Sequence, residues 1–62
     1  MKRNELIKYL SSNNCYLLRE GSNHSVFYNS TNNKTSTVPR HNEIDKYLVK
    51  KICKDLNIPF MR

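Results

Sequence analysis

The sequence predicts an α+β fold ordered α-β-β-β-α, with a three-stranded antiparallel sheet and both helices packed on one of its faces. Three observations lead there. Apolar residues recur at helical spacing near each end of the chain, three short runs rich in aromatic and branched residues lie between them, and each run ends at a polar turn or a proline. Two helices are expected on the sheet because one would not cover a face of that size. With 62 residues, the chain reads as a single domain, 1–62, of a size that buries only about 60% of its unfolded surface.

Asn4 is positioned to cap a first helix in which Leu6, Ile7 and Leu10 share one stripe, and Ser11 to Asn14 close it. "CYLLRE", Cys15 to Glu20, reads as the first strand and is bounded by Gly21, which would supply positive φ for the turn. "HSVFYN", His24 to Asn29, reads as the second strand, "STNNK" as a polar turn, and "TSTVP" as a third strand stopped by Pro39. Asp45 is positioned to cap a second helix running to about Asn57, beyond which Pro59 prevents continuation. On that helix Leu48, Val49, Ile52, Cys53 and Leu56 share one arc, and Lys46, Lys50, Lys51 and Lys54 share the other. Double-stranded-RNA-binding-domain-like folds have this order and size.

Eleven Lys and Arg against five acids give a net charge of +6 and a pI near 9.6, which favours a polyanionic partner. Nucleic acid heads the candidates; a charge that only keeps a small protein in solution is the plainer alternative. An anionic membrane surface ranks lower, because neither helix pairs a broad aromatic face with a basic one. No apolar run approaches the roughly 18 residues of a transmembrane helix, and "MKRNELIKYL" lacks the apolar region of a signal peptide, so a cytoplasmic protein is expected. Cys15 and Cys53 fit neither a zinc signature nor a C-x-x-C motif and are expected as reduced thiols near the core. Two histidines and five acids, with no cluster at metal-ligand spacing, predict no metal site and no small-molecule cofactor.

His24 follows Gly21-Ser22-Asn23 at the start of the second strand. If the first hairpin turns about Ser22, Glu20 lies opposite His24; if the second turns about Asn32, Arg40 lies opposite it on the other side. A carboxylate beside an imidazole orients the ring and favours the imidazolium, while a guanidinium supplies a forked donor for phosphate oxygens. The three residue types suit phosphodiester chemistry. His41 would point away from that face if the third strand continued. Two choices of face fit the pattern, and the first is the reading adopted. With Phe27 as core anchor opposite Leu17, His24 lies on the open face; with Leu18, Val26 and Val38 as the core ladder, it turns toward the helices. A turn histidine bonded to a backbone carbonyl is the bland alternative to any working role.

Gly-Ser-Asn-His at Gly21 to His24, followed by "TVPRHNEI" at Thr37 to Ile44 and "LVKKICKDLNIP" at Leu48 to Pro59, resembles the HicA toxins of bacterial and archaeal toxin–antitoxin pairs. The resemblance covers nearly the whole chain. It implies a double-stranded-RNA-binding-domain-like fold, an endoribonuclease that cleaves mRNA, and neutralisation by a HicB-type antitoxin. The family's catalytic histidine falls on His24, whereas Asn23 stands where the family often has another histidine.

RNA carries its own nucleophile, the 2′-hydroxyl. A protein need only take its proton, align it with the phosphorus and stabilise charge on the phosphoryl oxygens. Histidine, whose ordinary pKa is roughly 6.5, suits the proton transfer. Arg40 and Lys34 are the candidates for the charge, with Ser22 and the Gly21–Asn23 backbone as phosphate donors and His41 as a further RNA contact. No separate general acid is evident. Two rivals stand beside this reading: a non-catalytic RNA-binding module of the same fold, and a protein-interaction domain that docks an acidic partner on the lysine-faced helix.

Overall fold

A computed structural model describes residues 1–60. Its elements are α1 (Arg3–Ser12), β1 (Cys15–Glu20), β2 (His24–Asn29), β3 (Thr35–Pro39) and α2 (Lys46–Leu56). The strands form one antiparallel sheet in the order β1-β2-β3. Both helices lie on one face, α1 against β1 and α2 against β3. Between helices and sheet sits one apolar cluster built from Leu6 and Leu10 of α1, Cys15, Phe27 and Val38 of the strands, Ile44, and Val49, Ile52, Cys53 and Leu56 of α2. The arc read from the sequence of α2 is thus its buried face, with Leu48 half-buried at the margin. Cys15 and Cys53 are both buried and not joined by a disulfide.

The helix starts differ from the capping pattern. α1 begins at Arg3, with Lys2 rather than Asn4 in the cap position and no side chain capping it. The chain ahead of the helix is held instead by backbone pairing with the segment that leads into α2: Lys2 bridges Glu43, the Arg3 N–H donates to Asn42 O at 2.9 Å, and the Ile44 N–H donates to Met1 O at 2.7 Å. Asp45 does precede α2, but its carboxylate makes no capping bond. At its far end α2 closes on Asn57 in the left-handed region (φ 58°), with the Asn57 N–H donating to Lys54 O at 3.1 Å and the Ile58 N–H to Cys53 O at 2.9 Å. This is the Schellman arrangement; the half-buried Ile58 supplies its usual apolar contact and Pro59 ends the element.

Register decides which side chains share a face. From Cys15↔Asn29 to Leu17↔Phe27 the first hairpin pairs as the sequence predicts; a bulge between Leu17 and Arg19 then shifts it, so that Arg19 pairs with Val26 and Glu20 with Ser25. The second hairpin turns through Ser30 to Asn33, closed by the Asn29 N–H donating to Lys34 O at 2.9 Å, and pairs His24 with Pro39 rather than Arg40. Asn33, at φ 60°, accommodates the tight return. Ser25, Phe27 and Asn29 are buried, while His24 is exposed and Val26 and Tyr28 half-buried on the opposite face. Leu18 is 53% exposed, so the alternative ladder of Leu18, Val26 and Val38 does not form the core.

Candidate active site

His24 opens β2 on the face without helices, with an exposed side chain. The turn that presents it is closed by the Gly21 N–H donating to the His24 carbonyl at 2.7 Å. Gly21 is not in a positive-φ conformation, so the conformational reason expected for it does not hold. Its role is close approach, since a Cβ there would stand 3.0 Å from the His24 carbonyl oxygen. Only the Gly21 N–H is spent on the turn. The exposed Ser22 and Asn23 keep their N–H groups unbonded among the described residues, in the turn that leads into His24.

The expected flanking of His24 by Glu20 and Arg40 does not occur, and the two register shifts explain why. One residue inserted at the β1 bulge turns Glu20 to the helix side with Ser25. The one-residue offset of β3 turns Arg40 to that side too, because alternate residues face opposite ways. There the two meet each other, Arg40 Nη2 donating to Glu20 Oε1 at 2.8 Å. Ser25 Oγ donates to the same oxygen at 2.7 Å, and Arg3 Nη2 donates to Ser25 Oγ at 2.9 Å while its Nε donates to Pro39 O at 2.9 Å. The Ser25 hydroxyl, then the charge and hydrogen bond of Arg40 and the charge of Arg3, hold the Glu20 carboxyl below its ordinary pKa against its partial desolvation. Arg3 and Ser25 were not legible as members of this network, since their partners lie 22 and 36 residues from Arg3.

Arg40 lies one residue beyond the pairing partner of His24 and remains about half-exposed, so its other nitrogens can still donate. His41 follows it, also exposed; strand pairing ends at Pro39, so the alternation expected to turn His41 away no longer applies. Lys34 is not near His24. It stands at the other end of β2, where it pairs with Asn29, about 17 Å away along the strand. Among the described residues no three His, Cys, Asp or Glu side chains gather as a metal-holding group, and no helix is long and apolar enough to cross a membrane.

The site is therefore an exposed imidazole at the first residue of the central strand, two unbonded backbone donors in the adjoining turn, and an arginine network anchoring the strands behind it. The family model described as "HicA toxin of bacterial toxin-antitoxin" matches residues 3–58. No curated protein and no solved structure matches the chain.

Proposed function

Because the chain belongs to the HicA toxin family, we propose that it is the mRNA-cleaving endoribonuclease of a toxin–antitoxin pair, with His24 as its proton-transfer residue and a HicB-type protein as its antitoxin. The observation that carries this reading is the exposed, unbonded imidazole of His24 directly after a turn in which the N–H groups of Ser22 and Asn23 are unbonded. In the reaction the RNA 2′-oxygen forms a bond to phosphorus as the bond from phosphorus to the 5′-oxygen breaks. His24 takes the 2′-hydroxyl proton, and solvent water supplies a proton to the departing 5′-oxygen. The turn amides, the Ser22 hydroxyl and the free nitrogens of Arg40 stabilise the phosphoryl oxygens. His41 contacts RNA beside Arg40, and Lys34 serves a phosphate farther along the strand.

A second observation bears on the antitoxin. On the outer side of α2, Tyr47 is 79% exposed and Lys50 sits over the ring of Phe60 at 5.9 Å. With Lys46 and Lys54 beside them, these groups suit an acidic protein surface.

The nuclease reading is tested with a transcript carrying a single 2′-deoxy sugar on the 5′ side of a cleaved bond, with and without chelator. Cleavage should survive chelation, fail at the substituted bond, and leave a 2′,3′-cyclic phosphate, or its opened form, and a free 5′-hydroxyl. Loss of activity in chelator with rescue by a divalent ion, or cutting at the deoxy bond, contradicts the mechanism.

A further inference from the structure

We propose that the open sheet face is a platform for single-stranded RNA on which Tyr16 and Tyr28 stack nucleobases, with Arg19 holding the backbone on its way to His24. The proposal rests on the nuclease reading for its purpose but not for its test.

The two tyrosines are cross-strand partners on the face without helices, their rings edge-to-face with centroids 6.3 Å apart and planes at 60°. Tyr16 is 43% exposed and Tyr28 half-buried, so each offers ring surface to a ligand. Tyr28, Val26 and His24 follow one another on that face of β2, and Tyr28 stands about 14 Å along the strand from the imidazole. A strand of RNA lying along β2 would thus meet the aromatic pair at one end and the proton acceptor at the other. The bulge adds the charge: the same inserted residue that turns Glu20 away brings Arg19 to the open face opposite Val26.

No carboxylate lies on this face among the described residues. Glu20 is bonded to Ser25 and Arg40 on the helix side, Asp55 is bonded to Lys51 and to Ser36 of the buried face, Glu43 pairs with the N-terminus, Glu5 lies on α1 and Asp45 just before α2. Cationic charge, exposed rings and no acid complement a polyanion with planar bases, because stacking is available to every base and the phosphates find only positive partners. Exposed Thr35, opposite Tyr28, and Thr37, opposite Val26, place hydroxyls on the same face for base edges. The platform requires bases free of a duplex, so it selects single-stranded RNA.

The test uses a fully 2′-O-methylated single strand, which lacks the nucleophile and reports binding alone. The chain has four tyrosines and no tryptophan, so quenching of tyrosine emission on titration reads ring stacking directly. Tyr16→Ala and Tyr28→Ala should each weaken binding by about fivefold to a hundredfold, and Tyr28→Phe should retain wild-type affinity. Far-UV circular dichroism checks folding; Tyr16→Leu and Tyr28→Leu replace any alanine variant that fails to fold. An abasic strand of equal length should bind wild type and variants alike, as should a duplex. Wild-type affinity in the tyrosine variants, or equal losses on the abasic strand, overturns the platform and leaves this face to a protein partner. Absence of cleavage of unmodified RNA with the tyrosine effect intact would refute the nuclease reading alone.

Discussion

The Glu20 carboxyl is held below its ordinary pKa by the Ser25 hydroxyl first and by Arg40 next, and this makes part of the fold's stability a function of pH. The sign follows from proton counting. With the folded pKa depressed, the unfolded chain binds more protons in the window between the two values, so stability rises with pH there. The contribution is present above the unfolded carboxyl value of roughly 4.3 and is lost as pH falls through the folded value. Urea midpoints measured across this range for wild type and Glu20→Gln should show a shallower acid loss in the variant. Identical profiles would mean that ionisation of Glu20 adds nothing to folding. Asp55, lowered by Lys51 and Ser36, contributes in the same direction and is common to both proteins.

Elements close on asparagine more than on any other residue. Asn14, Asn33 and Asn57 take positive φ, where the short amide side chain tolerates the left-handed region, and Asn29 ties two elements together. Its side chain is buried, donates from Nδ2 to Leu56 O at 2.8 Å and accepts from the Thr31 N–H at 2.9 Å, so the end of β2 satisfies a last-turn carbonyl of α2. Asn29→Ala should lower stability by about 1–3 kcal/mol, read as a urea midpoint shift, because it strips buried groups of their partners. A shift near zero would show that water replaces the amide at no cost. All three strands were legible in the sequence with their observed bounds, because alternation and turn residues are local signals. The register was not. A bulge at Leu18 and a loop centred half a residue away from Asn32 leave no mark in composition, yet each turned a charged residue to the other face. The start of α1 also escaped, since pairing between residues about 40 positions apart replaced the cap expected from Asn4, whereas Asp45 stands at the start of α2 as read, without its capping bond.

Across the whole molecule the charge of +6 and the separation of acids from the open face predict that the proposed RNA binding weakens steeply with salt. Arg40→Ala should flatten the slope of log affinity against log salt by about one unit. An unchanged slope would show that Glu20 neutralises the guanidinium fully and that Arg40 serves only the fold. The family, the Gly-Ser-Asn-His turn and the open face of His24 could be read from the sequence; the neighbours of His24 could not, because they depend on two registers at once. The role proposed for His24 is to move the proton in RNA cleavage. The most direct test is incubation of a labelled transcript with wild type and His24→Ala, beside urea unfolding of both. Cleavage should fall by about a hundredfold or more, with stability nearly unchanged because an exposed side chain buries little. Wild-type cleavage by a folded His24→Ala protein would contradict the claim.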